Sequence, residues 1–379
     1  MSSKSDSKSA TAQPSRRRFL AAAGVGAALG GFPAIVRAQS APITLRFQST
    51  WPQKFIYHEL AVDYTKKVFD MTGGRLKIEM LPAGAVVPGL QVMEATSKGV
   101  IDGGHGIPAF WFGRNTAFGL FGAGPDFGMD GNQLLGWMEY GGGKELYAEI
   151  LAAAQLDVVS FHFCPVPCEP MGWFKKPIKG AAELKGFKYR TVGLAADLLQ
   201  ELGMKVTQLP GGEIVPAMER GVIDAFEFNN PTSDRRFGAQ DVAKNYMMGS
   251  YHQAMEFFEI LFNKKKYNSL PKDLQAILKY AAEAASTANY ALAMDQYSID
   301  LQELRTKDKV NVIRTPQSIF DAQIKAGDVI TDRLSKEDPF FAKVVASQKE
   351  WSKRVGYYHF FNEADYKRGY EHIHGKLGF

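Results

Sequence analysis

Between residues 43 and 105 the chain keeps changing its apolar period, and this restricts the class of fold it can enter. Ile43-Thr44-Leu45-Arg46-Phe47 alternates apolar and polar side chains, the period-two pattern of a strand. Residues 55–72 carry apolar positions at helical spacing and stop at Gly73-Gly74, where glycine suits a helix C-terminus. Leu76, Ile78 and Met80 restore the strand period, and a helix over 89–98 and a strand over 100–105 follow. Strand, helix, strand, helix, strand is the layout of an α/β fold: a mostly parallel sheet with helices on both faces.

The segment 184–228 repeats the alternation, with strands expected over 187–191, 205–208 and 222–227 and helices over 193–203 and 212–220. A weak internal echo runs alongside. Val92-Met93-Glu94 leads to Gly99-Val100-Ile101-Asp102, and Ala217-Met218-Glu219 leads to Gly221-Val222-Ile223-Asp224. Two α/β lobes of like construction would explain it, as would coincidence among common residues. The apolar run from Met255 to Phe262 suits a strand returning to the first lobe. Pro271 then opens a helical pattern that reaches Arg305, longer than the usual globular helix and able to brace both lobes. The expected organisation is lobe I over 39–163 with 255–312 returning to it, lobe II over 164–254, a bracing helix over 271–307, and C-terminal helices over 316–379.

The N-terminus reads as an export signal. Ser15-Arg16-Arg17-Arg18-Phe19-Leu20 is a twin-arginine pattern, and a weakly apolar, Ala/Gly-rich run extends from Ala21 to Val36. Val36-Arg37-Ala38 offers small residues for a signal peptidase, with cleavage expected before Gln39. The run is too short and too rich in glycine for a spanning helix. The expectation is a soluble periplasmic protein exported by the twin-arginine route. The chain has 45 Lys+Arg and 40 Asp+Glu; the first 38 residues hold six of the former and one of the latter, leaving 39 of each beyond Ala38. A neutral remainder removes the simplest argument for nucleic-acid or acidic-membrane binding. Cys164 and Cys168 are the only cysteines, and the sequence leaves open whether they are joined.

The chain shows no Gly-x-Ser-x-Gly elbow, phosphate loop or His-Glu-x-x-His. Gly103-Gly104-His105-Gly106 lacks dinucleotide-binding spacing and reads as a tight strand exit. His58, His105, His162 and His252 are scattered and point to no metal cluster. What remains is a sparse set of polar groups at the ends of expected strands, where α/β lobes place ligands. Arg190 ends the strand Gly186-Phe187-Lys188-Tyr189; its planar fork suits a carboxylate, and a structural ion pair is the alternative. Glu227 sits among aromatics in Asp224-Ala225-Phe226-Glu227-Phe228. A carboxylate there needs protonation, or a cation, Arg190 or a ligand beside it. Asn230-Pro231 reads as an N-cap and first helical residue. Tyr251-His252-Gln253 is a third polar cluster.

At these residues the chain resembles the extracytoplasmic solute receptors of tripartite ATP-independent periplasmic (TRAP) transporters, the DctP type, in the branch that binds 2-oxoacids and other monocarboxylates with a cation. The resemblance spans about 43–369. It rests on Ser49-Thr50-Trp51-Pro52, Leu81-Pro82-Ala83-Gly84, Gly172-Trp173-Phe174, Lys185-Gly186-Phe187-Lys188-Tyr189-Arg190, Asp224-Ala225-Phe226-Glu227-Phe228 and Ser269-Leu270-Pro271-Lys272-Asp273-Leu274-Gln275. It implies a two-lobed α/β flytrap, a long bracing helix and no enzymatic activity. It places Arg190 at the carboxylate, Glu227 and Gln253 at the cation through their side chains, and Phe228 there through its backbone carbonyl. Glu169 falls where this branch usually has a glutamine touching ligand and cation, and the change adds a negative charge. Phe228 replaces a common tryptophan. Ala109-Phe110-Trp111 replaces common tyrosines, so Phe110 and Trp111 imply a more apolar ligand tail unless they are core. Oxygen ligands imply Ca²⁺ or Na⁺. The implied partners are a small organic carboxylate and the TRAP membrane subunits. The C-terminal helices over 316–379, taken by themselves, would either form a homodimer or pack on the chain's own lobes. An exported cofactor-dependent enzyme and a ligand-sensing receptor are the alternatives.

Overall fold

The computed structural model describes residues 41–209 and 211–379, so the expected signal over 1–38 lies outside the described residues. The strands β1 (Ile43–Ser49), β2 (Leu76–Leu81), β3 (Gly103–Gly106) and β4 (Val158–Val166) enter one sheet. The strands β5 (Gly172–Phe174), β6 (Lys188–Arg190), β7 (Lys205–Thr207), β8 (Ala225–Phe226) and β9 (Asn245–Met248) enter a second. The chain then returns, β10 (Glu256–Asn263) to the first sheet and β11 (Asn311–Arg314) to the second. The orders are β2-β1-β3-β10-β4 and β11-β9-β5-β8-β6-β7.

The parallel layout expected over 43–105 forms, while each sheet as a whole is mixed. β1 is parallel to β2 and β3, and β6 to β7 and β8. β10 instead runs antiparallel to β3 and β4, and β5 antiparallel to β8 and β9. The antiparallel members are strands by which the chain enters one sheet from the other. They are free of the right-handed βαβ crossover that keeps sequential strands parallel.

Gly103-Gly104-His105-Gly106 is β3 itself, rather than the exit of a strand over 100–105. The helix α1 (Ile56–Met71) buries Tyr57, Leu60, Tyr64 and Val68, and α2 (Val92–Ser97) closes on β3 so tightly that side chains there have no room. A Cβ on Gly103 would stand 2.1 Å from the Phe47 ring and 2.4 Å from the Leu261 carbonyl oxygen; one on Gly104 would stand 2.3 Å from Val92. Gly103→Ala is expected to cost about 1–3 kcal/mol through overpacking. Denaturant unfolding checks this: an unchanged midpoint would show that β1 can shift aside.

The internal echo is a repeated helix-to-strand turn. Gly99 and Gly221 both hold positive φ, 73° and 70°. Val100 N donates to Ala95 O, and Val222 N to Ala217 O, at 2.9 Å in each case. The second turn follows α3 (Gly211–Glu219), and the Gly-Val-Ile-Asp runs feed β3 and β8. The match therefore aligns on the glycines, not on Met93-Glu94 and Met218-Glu219.

The long helix forms as expected. After α4 (Pro231–Phe237), α5 (Lys272–Thr306) runs 35 residues, about 50 Å at 1.5 Å per residue. Its first half is tied to the first sheet and its covering helix. Tyr64 Oη donates to Leu278 O at 3.2 Å, and Ser286 Oγ accepts from Cys164 N of β4 at 2.9 Å. Its last turns are tied to α4, where Arg235 reaches Glu303 at 2.6 Å and Asp300 at 3.3 Å. No helix among the described residues is long and apolar enough to cross a membrane. Cys164 and Cys168 are both free. The C-terminal helices are α6 (Gln317–Glu337), α7 (Pro339–Asn362) and α8 (Tyr366–His374). Trp351 of α7 packs back, donating Nε1 to Gln133 O at 3.1 Å, whereas Tyr357, Tyr358, Phe360 and Phe361 stand exposed.

Candidate functional site

Arg190 ends β6 as the sequence implied, and it is buried. Its Nη1 donates to Glu227 Oε1 and to Glu227 O, each at 3.0 Å, and its Nε to Leu209 O at 2.9 Å. Three bonds from two edges fix the guanidinium plane. Nη2 makes no protein hydrogen bond among the described residues. The Phe228 ring lies beside it, 6.0 Å from Cζ to the centroid, and is wedged by Phe55 at 5.1 Å and Phe237 at 4.9 Å.

Glu227 follows the two-residue strand β8. Past it, Asn230 caps α4 by accepting from Ser233 N at 2.8 Å, with Pro231 as first helical residue, as the sequence predicted. The cap aims Asn229 and Asn230 inward. Asn229 Nδ2 donates to Glu169 Oε1 and, at 3.1 Å, to Glu256 Oε2; Asn230 Nδ2 donates to Tyr57 Oη at 3.1 Å. Glu169 arrives from the crossing between β4 and β5, and its backbone N donates to Gln253 O at 3.2 Å. Glu169, Arg190, Glu227 and Gln253 are thus brought together and buried.

The electrostatics of this cluster are unbalanced. Glu169, Glu227 and Glu256 are each at most 2 % exposed, while Arg190 is the only buried guanidinium or ammonium among the described residues. Burial pushes the Glu169 carboxyl well above its ordinary range, and Glu256 and Glu227 push it further. Burial pushes Glu256 up to about 7 against the Asn229 hydrogen bond that holds it down. Burial also raises Glu227, with Arg190 opposing. Removing one partner from a buried charge set costs several kcal/mol, about 3–5; three acids facing one base carry that cost unless they take up protons or a further cation enters. Glu169 Oε2 and Gln253 Oε1 are buried and have no hydrogen-bond partner among the described residues. Both are hard donors of the kind Ca²⁺ and Na⁺ take. The residues present therefore fit a cation.

The scattered histidines need correction. His252 Nε2 lies 3.9 Å from Glu169 Oε2, and Glu169, Glu227 and His252 bring their ligand atoms within 4.8 Å of one another. Sequence distance hid this, since β5 to β9 intervene between Glu169 and His252. Glu256, Asn229 and Tyr57 were also missed. The one signal for Glu256 was two glutamates, at 256 and 259, inside an otherwise apolar strand.

Phe110 and Trp111 lie apart from the polar cluster. They line a cavity of about 470 Å³ with Leu90, Met93, Val192 and Gly193, just past Arg190 in the chain. Trp111 is also core: it is buried, and its Nε1 donates to the buried Glu259 Oε1 at 2.5 Å. Glu259 accepts from Tyr147 Oη and Ser160 Oγ as well, each at 2.7 Å.

Known proteins share this sequence and this fold. Residues 47–337 match the DctP family, bacterial extracellular solute-binding protein, family 7. A monocarboxylate 2-oxoacid-binding periplasmic protein of Nostoc sp. is 31% identical over 335 residues, 88% of this chain and 90% of that protein. A TRAP transporter solute-binding protein of Bordetella bronchiseptica RB50 superposes with a TM-score of 0.81 at 27% identity, over 88% of this chain and 98% of that one. It is a mixed-occupancy dimer, with copurified calcium and picolinate in one active site and the other apo. A TRAP periplasmic solute-binding protein of Pseudoalteromonas atlantica, with bound sodium and pyruvate, superposes with a TM-score of 0.78 at 29% identity, over 85% of this chain and 97% of that one. With the family pattern spanning both sheets and the long helix, the chain belongs to the DctP family of extracellular solute-binding proteins and has its two-lobed α/β fold.

Proposed function

We propose that this protein is the periplasmic receptor of a TRAP transporter, capturing a small organic carboxylate, a 2-oxoacid or related monocarboxylate, together with a cation, and presenting it to the membrane subunits. The observation that carries the reading is the unbalanced cluster: three buried carboxylates, one buried guanidinium with a free edge, and two buried oxygens without partners. Arg190 would receive the ligand carboxylate on Nη2. Glu227, Glu169, Gln253 and the Phe228 carbonyl would hold the cation, Ca²⁺ or Na⁺, which supplies positive charge to the acids and to the ligand. The cavity beside Phe110 and Trp111, whose lining also includes Glu94, Arg114 and Gln208, would take the ligand's tail. The reading is of a receptor rather than an enzyme, because the family is one of solute-binding proteins. In this reading each lobe is built on one sheet, and β11 (Asn311–Arg314) joins lobe II rather than returning to lobe I as the span 255–312 had implied.

Arg16 and Arg17 support export by the twin-arginine route, with cleavage before Gln39. The exposed aromatics of α7 and α8 support a homodimer: Tyr357, Phe361, Tyr366 and Phe379 are 66–81% exposed, an unusual cost for a monomer. Deleting residues 355–379 is expected to convert a dimer to a monomer in sedimentation equilibrium. A full chain that already sediments as a monomer removes the dimer.

The function itself is tested by thermal shift of the full chain with pyruvate, longer 2-oxoacids, lactate, mandelate and C4-dicarboxylates, each with Ca²⁺, Na⁺ or chelator. A ligand that binds only the folded state raises Tm with concentration. The expected result is a rise with one monocarboxylate that the chelator diminishes. No rise with any acid sinks the reading.

A further inference from the structure

His252 is the member of the buried cluster that oxygen-only coordination leaves without a task. Its ring is 1% exposed and its Nε2 has no hydrogen-bond partner. That nitrogen lies 3.9 Å from Glu169 Oε2, itself unpartnered, and within 4.8 Å of a Glu227 carboxylate oxygen. The other ring nitrogen is held from behind. Nδ1 is 2.6 Å from Ser250 Oγ, which accepts from Gln323 Nε2 of α6 at 2.7 Å. Gln323 is fixed in turn, its Oε1 accepting from Tyr251 N at 2.9 Å. In the tautomer that donates Nδ1–H to Ser250 Oγ, Nε2 keeps its lone pair and faces the Glu169 carboxylate. Electron-rich atoms converging in a dry site are relieved by a proton or by a metal ion between them. A hydrogen-bonded partner on the far nitrogen is also how proteins orient a metal-binding imidazole.

We infer that His252 Nε2 is a ligand in the cation site, beside the carboxylates of Glu169 and Glu227. Beside the Ca²⁺ or Na⁺ of the reading above, the site can therefore take a divalent ion that accepts imidazole, of the Mn²⁺ or Zn²⁺ class. This rests on the cation-assisted reading above and goes beyond it in naming a nitrogen ligand and an ion class. Imidazole suits first-row transition ions and Zn²⁺, whereas Ca²⁺ and Na⁺ favour oxygen alone. Gln253 Oε1, also buried and unpartnered, would complete the set as a neutral oxygen.

The test is pulsed electron paramagnetic resonance of the chelator-stripped full chain loaded with Mn²⁺ and pyruvate. The expected spectrum shows ¹⁴N echo modulation from a directly bound imidazole, lost in His252→Gln. Calorimetry with Zn²⁺ and with Ca²⁺ accompanies it. His252→Gln should lower Zn²⁺ affinity by about tenfold or more while leaving Ca²⁺ within about twofold. Mn²⁺ bound by the wild-type protein without nitrogen modulation overturns the inference and leaves the cation-assisted reading standing, even if His252→Gln fails to fold. Absence of any Mn²⁺, Zn²⁺ or Ca²⁺ binding overturns both.

Discussion

Arg190→Ala will abolish detectable carboxylate binding at concentrations that only just saturate the wild-type protein. A buried, hydrogen-bonded charge pair costs about 2–5 kcal/mol when one partner is truncated, equivalent to roughly 30- to 5,000-fold in affinity. The guanidinium here is held by Glu227 and Leu209 with its Nη2 edge left over, so the loss falls on the ligand side as well as on the fold. The same substitution strands Glu227 among buried acids, and the variant will also lose stability in the cation-free state. Arg190→Lys separates the two effects: it keeps a charge near Glu227 but has no planar fork, so stability recovers more than affinity. Titration calorimetry of both variants against the best acid from the thermal screen checks this. An Arg190→Ala protein with intact circular dichroism and unchanged affinity would remove Arg190 from the site.

The second large effect is expected at Glu227. Glu227→Gln keeps an acceptor for Arg190 Nη1, so the guanidinium stays in place, but it removes one of the charges that would hold the cation. Ligand affinity should fall by about 10- to 100-fold and become indifferent to chelator. The signature is this loss of linkage, more than the fall itself: in the wild-type protein cation and ligand strengthen each other's binding by the same factor. If the variant keeps a chelator-sensitive affinity, the cation lies elsewhere. Cation-free stability should move less, or even rise, because one of three crowded carboxylates is gone and its charge no longer adds to the burial that raises Glu169 and Glu256. The two substitutions thus differ in sign on the cation-free fold and agree on the ligand.

The fold class was legible because the period of apolar residues is a local property. The alternation over 43–105, the 35-residue helix after Pro271 and the N-cap at Asn230 follow from residues within a turn or two of each other. Strand direction was not local. β5 and β10 are antiparallel because of the sheet they come from, which no window of sequence contains. Gly103-Gly104 was misread for a related reason: glycine marks a turn when space is open, but here it marks a strand pressed by Phe47, Val92 and Leu261.

The same division runs through the site. Arg190 and Glu227 could be found from sequence because each stands at the end of a short strand within a recognisable motif, where α/β lobes put ligands. Family resemblance added Glu169 and Gln253. Only the tertiary structure assembled Glu169, Glu227, His252 and Glu256 around one point, from the crossing after β4, the end of β8, the turn after β9 and the start of β10. A charge is read from the sequence wherever it lies, but its cost depends on burial and on neighbours many residues away. Whether a glutamate is a solvated acid, half of an ion pair or part of a cation's cage is therefore decided by the fold.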